Sequence, residues 1–154
     1  MADYAFNIAK GRGVEFYNRV ENNDPGTSAL ILVPLSASGS EAEAQDYDNL
    51  STVLGGAANE ATAGGWARKT LTDTELAAFP APDDTNNRYS IQVPQVTWLS
   101  VAIANNTTGL LICYDANTGA GADTDIIPIT HHDFVVTTDG NNVVLQVGDF
   151  LRAS

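Results

Sequence analysis

Few residues in this chain have the types and spacing that chemistry needs. Both histidines lie together, in His131-His132-Asp133. An imidazole beside a carboxylate can ligate a metal or move a proton. In a strand, however, adjacent residues point to opposite faces, so both rings reach one ion only if the chain turns there. A closed zinc site takes four ligands, and the chain has no third histidine and one cysteine. The expectation is that one ring faces the core or a hydrogen bond and the other faces water.

A second cluster is Asp115-Ala116-Asn117-Thr118-Gly119, followed by Asp123 and Asp125. Its oxygen spacing is similar to that of a calcium loop. The EF-hand pattern requires glycine at position six and glutamate at position twelve, where this chain has Ala120 and Ile126. Two readings stand: a solvated turn rich in Asx and glycine, which is favoured, and an irregular calcium site drawing on Asp115, Asn117, Asp123 and Asp125. Asp83-Asp84 with Asn86-Asn87 reads as another polar loop before a strand.

Nucleophiles fare no better. Cys113 sits within Leu110-Leu111-Ile112-Cys113-Tyr114 and reads as a buried, inert core thiol. Ser90 and Ser100 lack a G-x-S-x-G elbow. Nineteen acids always offer carboxylate pairs, and nothing selects one for glycoside hydrolysis. Gly11-Arg12-Gly13 is too short for a dinucleotide motif and precedes a strand instead of following one. The residues therefore point to a protein that is not an enzyme and takes no cofactor.

The totals narrow the class. At 154 residues the chain suits one domain, able to bury roughly 70% of its unfolded surface without a disulfide. Seven basic against nineteen acidic residues leave a net charge of −12, which argues against a nucleic-acid surface and suits a soluble body or a basic docking partner. Residues 1–10 lack the basic start and apolar block of a signal peptide. No apolar run approaches the roughly 20 residues that span a bilayer.

The elements that would position these residues are mainly strands. Apolar stretches at 88–94, 97–104, 109–115, 125–129, 133–138 and 142–147 alternate with polar turns. Earlier, 14–20 reads as a strand by alternation of Val14, Phe16 and Val20, with a short helix as the competing reading. After the turn at 22–26, residues 29–35 are apolar throughout, as in a strand buried on both faces, and could form a hairpin with 14–20. One helix is expected over 41–54, with Ser40 and Glu43 at capping-box spacing. Residues 66–72 alternate as a strand, 74–78 allow one helical turn, and Asp139-Gly140 signals a hairpin between 134–136 and 143–145. Trp66, Trp98, Phe79 and Tyr47 read as packing residues. The expected fold is all-β: a single domain over 14–154, a β-sandwich or jelly roll of antiparallel sheets, preceded by an extended arm over 1–13. Alternating Tyr4, Phe6 and Ile8 make that arm a candidate to add to a neighbour's sheet edge. With Arg12, Tyr17 and Arg19 they form the candidate interface. Arg68 and Lys69, with Arg88, would make a local positive spot on an acidic body.

Several longer strings then carry a resemblance. They are FNIAKGRGVEFYNRV at 6–20, the Asn23-Asp24-Pro25 turn with 28–33, WARKTLTD at 66–73 and APDDTNNRY at 81–89. LLICYD at 110–115, DIIPITHHDFVVTTDG at 125–140 and GDFLRAS at 148–154 extend it over nearly the whole chain. The chain resembles small structural proteins of the virions of tailed bacteriophages and prophages. That resemblance implies a capsid decoration or cement protein, binding the major capsid protein and copies of itself, with a trimer favoured. It implies a place on the capsid surface of the virion, reached from the host cytoplasm during assembly, with neither nucleic acid nor membrane as partner. A tail or head–tail connector component with recognition loops such as 117–124 is the first alternative, and a carbohydrate-binding β-sandwich the second. On the decoration reading, deleting residues 1–13 should remove capsid binding and leave the body folded.

Overall fold

Residues 29–35, apolar on both faces in sequence, form an interior strand of the main sheet, paired along both edges. The computed structural model describes residues 3–56, 58–76, 81–146 and 148–153. In chain order its elements are β1 (Tyr4–Ala5), a 3-10 turn (Asn7–Ala9), α1 (Gly13–Glu21), β2 (Ala29–Ser38), α2 (Glu41–Ala44), α3 (Leu50–Gly55), β3 (Ala58–Glu60), β4 (Lys69–Leu71), α4 (Asp73–Leu76), β5 (Tyr89–Val93), β6 (Val96–Trp98), β7 (Thr107–Asp115), β8 (Ile127–Val136), β9 (Val143–Leu145) and β10 (Gly148–Ala153). The expected strand end at Val147, the turn residue Ala78, the packing residue Phe79 and the first two residues of the arm lie outside the described residues.

The fold is mainly β and antiparallel, as the alternation implied. A six-stranded sheet runs β1-β8-β7-β2-β3, with β4 also paired to β2. β2 binds β7 along one edge, from Ala29↔Asp115 to Leu35↔Gly109. Its other edge is shared end to end by β4 and β3. Two smaller sheets pair β5 with β10 and β6 with β9.

The period of two sends side chains to two cores. Leu30, Leu32, Leu110, Ile112 and Tyr114 pack with Phe16 and Val20 of α1, Ile91 of β5, Trp98 of β6 and Phe150 of β10. Ala29, Ile31, Val33, Leu35, Leu111 and Cys113 face the opposite way, onto Phe6, Ala44, Leu50 and Val53. Each fully buried Leu or Ile here contributes on the order of 1.5–3 kcal/mol. The large sheet is thus covered on both faces, which is why β2 and β7 read as unbroken apolar runs. Among the described residues no helix is long and apolar enough to cross a membrane.

Several expectations need correction. Residues 14–20 are helical, within α1, and form no hairpin with β2. The buried set is Gly13, Phe16, Tyr17 and Val20, which is i, i+3, i+4, i+7. The alternation of Val14, Phe16 and Val20 misled because Val14 is on the exposed side. Glu15 bonds Arg12 and Arg19 at i−3 and i+4, which adds support to the helix. The helix expected over 41–54 is two short helices, because Asn49 leaves the helical region and caps α3, accepting from the Thr52 N–H at 2.9 Å. Ser40 precedes α2 but its side chain caps nothing. The strand expected at 97–104 ends at Trp98, and 125–129 with 133–138 are one continuous strand. The hairpin at Asp139-Gly140 does not form: β8 stays in the large sheet and β9 crosses to pair with β6.

The largest correction concerns the extended arm over 1–13. Its described part is zipped onto the body. Tyr4 and Ala5 pair with His131 and Thr130. The Phe6 N–H donates to the Ile129 carbonyl at 3.0 Å, and the Phe6 ring is fully buried. An apolar face of that size is used at home, because burying it against the chain's own sheet costs no association entropy. Deleting residues 1–13 would therefore strip a core residue and would not leave the body intact.

Candidate functional site

The acids of the alternative calcium reading do not converge, and the favoured turn reading describes them. Asp115, at the end of β7, is buried and accepts a hydrogen bond from the Asn117 N–H at 2.8 Å. A Cβ on Gly121 would lie 3.0 Å from both Asp115 carboxylate oxygens, so the turn closes over that side chain. Asn117 accepts in turn from the Gly119 N–H at 3.2 Å. Asp125 is exposed and, among the described residues, receives the Ala122 N–H at 3.4 Å. These are the Asx bonds of the turn reading. Among the described residues no three His, Cys, Asp or Glu side chains are grouped to hold a metal ion.

Asp123 has a different partner. It grips the Arg68 guanidinium with both oxygens, while Glu60 grips the other side at 2.8 and 2.6 Å. The Arg68 charge thus fills the role an ion would have filled, and it holds the Asp123 carboxyl below the usual carboxylate range. The bridge ties β3, the approach to β4 and the loop after β7 into one unit. The positive spot expected around 68–69 and 88 is correspondingly muted: Arg88 pairs with Asp83 at 3.0 Å, and Lys69 lies over the Trp98 ring, 5.7 Å from its centroid. Arg68→Met keeps the aliphatic stem and orphans two carboxylates. With the side chains of Arg68 29% and Glu60 16% exposed, solvent screens part of that cost. We expect a loss of about 1–2 kcal/mol in urea unfolding, reduced by added salt, with amide exchange in 116–126 quickened.

The histidine pair divides as its strand requires. His132 is partly exposed and reaches Thr130 at 2.9 Å and Asp3 at 3.3 Å. His131 is fully buried, stacked on Tyr4 with ring centroids 4.9 Å apart. Neither of its ring nitrogens has a hydrogen-bond partner among the described residues. Burial pushes its pKa below the ordinary 6.5, against the pull of Asp133 and Asp3. The sign follows. The unfolded chain binds this proton more readily, so the stability contribution is full above pH 6.5 and is lost as pH falls below it. The urea midpoint should fall between pH 7 and 5, and His131→Phe should flatten that dependence. The Asp123 contribution is lost in a separate, lower window, below about pH 4.

The other candidates are structural. Cys113 is fully buried, and burial pushes its thiol far above its usual range. Trp66 and Trp98 are 4% and 1% exposed, and their indole N–H groups donate to the carbonyls of Asn105 and Ala67. Neither offers a face to a sugar, although Trp66 lines a small polar pocket with Glu60 and Asn105. Of the interface candidates, Phe6 and Tyr17 are core residues, and Tyr4 and Ile8 are half-buried against the second core. Arg12, just before α1, and Arg19 within it remain exposed, both paired with Glu15.

The feature that the sequence reading missed is the segment 99–104. Leu99 is 68% and Ile103 71% exposed, yet the backbone between them is pinned. The Val101 N–H donates to Asn141, the Gly140 N–H to Val101, and the Ala102 N–H to Gly64. The Thr138 hydroxyl donates to the Ala102 carbonyl at 2.8 Å. Ser100 and Ala104 both hold positive φ, at 48° and 67°, which costs energy for side chains with a Cβ. The sequence signal was available only as two aliphatics flanking Val101, which is fully buried: an alternation that a strand would also produce.

Comparison with protein-family models, with curated proteins and with solved structures finds no match.

Proposed function

We propose that this chain is a non-enzymatic virion structural protein of a tailed bacteriophage, which decorates the capsid by binding the major capsid protein and copies of itself. The strings quoted above, spread over nearly the whole chain, support the phage reading. The structural observation that supports an assembling role is the 99–104 projection: two large aliphatic side chains held out in water on a hydrogen-bonded, conformationally costly frame. Scattered surface leucines need no explanation; a rigid apolar projection is a preformed contact. The Asp and Glu excess suits docking on a basic surface.

Quantitative mass spectrometry of purified virions tests the reading. Decoration requires a copy number that is a large lattice fraction of the major capsid protein. A few copies per particle would instead fit a tail or head–tail connector component. Absence from virions would sink both.

A further inference from the structure

A second apolar feature of the surface is a groove between the N-terminal segment, α1 and β10. Ala9, Val14, Ile91, Ile129 and Leu151 line it, and Lys10 and Arg152 stand at its edge. Two of the seven basic residues of an otherwise acidic chain are therefore at one apolar opening. Arg152 shares its charge with Asp149 at 2.7 Å, while Lys10 donates to the neutral amide of Asn7. The groove offers about 430 Å³ of space. The two four-carbon side chains of Leu99 and Ile103 fit that space.

Position completes the match. The groove includes Ile129, near the start of β8, and the projection is bonded to Thr138, just past its end. Roughly 25 Å of strand separates them. A chain cannot fill its own groove across that span. The projection is uncharged from Leu99 to Ala104 and has the exposed Asp139 beside it, on the turn that pins Val101. An apolar segment flanked by a carboxylate is complementary to an apolar groove flanked by an ammonium.

We propose that the 99–104 projection of one copy seats in the Val14–Leu151 groove of the next, with Asp139 beside Lys10. The contact is head-to-tail, and closing such a contact gives a ring, of which the trimer is the smallest common form. This deepens the assembling role proposed above by naming its self-contact, and it does not depend on what the remaining faces bind.

The test uses the full chain and two surface variants, Ile103→Asp on the projection and Val14→Asp in the groove. Ile103 and Val14 are 71% and 39% exposed, so unchanged circular dichroism and urea midpoints are expected for both variants. In sedimentation equilibrium the unaltered chain should form a closed oligomer, and each variant alone should be monomeric. Mixed together, the variants should give a one-to-one dimer, because one supplies an intact groove and the other an intact projection. A monomeric unaltered chain at high concentration overturns the proposal. So does an oligomer that survives either substitution, or a mixture that stays monomeric, which would assign the two surfaces to some other protein. None of these outcomes depends on the virion copy number, so the two readings fail separately.

Discussion

Trp98→Ala lowers the free energy of unfolding by about 3–5 kcal/mol, the range for truncating a buried large aromatic. Trp98 is 1% exposed and belongs to the larger core. Its ring sits edge-on to Trp66 at 5.1 Å and 5.9 Å from Phe134. Its indole N–H satisfies the Ala67 carbonyl at 2.7 Å. Truncation removes all three at once and opens a void bounded by strands that cannot collapse, since β6 is held to β9 and the Trp66 indole is tied to Asn105. Trp98→Phe refills most of the volume and loses only the bond to Ala67, so its cost should be nearer 1–2 kcal/mol. Leu99→Ala, one residue on, should stay within about 0.5 kcal/mol, because Leu99 is 68% exposed. Equilibrium unfolding in urea of the three variants checks the order. Equal losses at 98 and 99 would mean that the 99–104 segment is part of the core.

Gly109→Val should cost about 3 kcal/mol, the upper end for overpacking a fixed site. The substitution looks favourable in sequence, since Gly109 sits in the strand Thr107–Asp115 and valine is a good strand former. In the structure a Cβ at 109 would lie 2.4 Å from the Ser38 hydroxyl and 2.5 Å from Nε2 of His131. Neither neighbour can yield easily. Ser38 is buried and bonded to Thr108 at 2.9 Å, and His131 is fully buried and stacked on Tyr4. Pairing His131→Ala with Gly109→Val should recover a large part of the loss, and a double-mutant cycle measures how much. Full additivity of the two changes would show that the imidazole is not what requires glycine.

Gly109 and His131 also mark how far the sequence could be read. That His131 and His132 divide between core and water followed from strand alternation. That the buried ring needs a glycine two strand positions from its cross-strand partner Leu111 did not, because register between β7 and β8 is invisible along one chain. The same limit explains Asp123. Its oxygen-rich loop was visible, but Arg68 reaches it across 55 residues of sequence, and only the folded chain brings that cation near. The helix α1 failed differently. Its i, i+3, i+4, i+7 pattern was present at 13, 16, 17 and 20, but the face begins with a glycine, which no hydrophobic pattern counts.

The sequence alone determined that this chain is mainly β, that residues 29–35 are buried on both faces, that 109–115 is a strand with Cys113 as a core thiol and that the histidines divide. Those are properties of local periodicity and of apolar run length, which each segment carries by itself. Tertiary structure decided the rest. It decided that β9 leaves β8 to pair with β6, because strand partnership depends on which edge is free. It made Phe6 a core residue and not an arm, because an apolar face is covered by whichever surface is nearest. And it made Leu99 and Ile103 exposed, because their backbone is held outward by Thr138, Asn141 and Gly64, residues distant along the chain that only folding brings to the same corner.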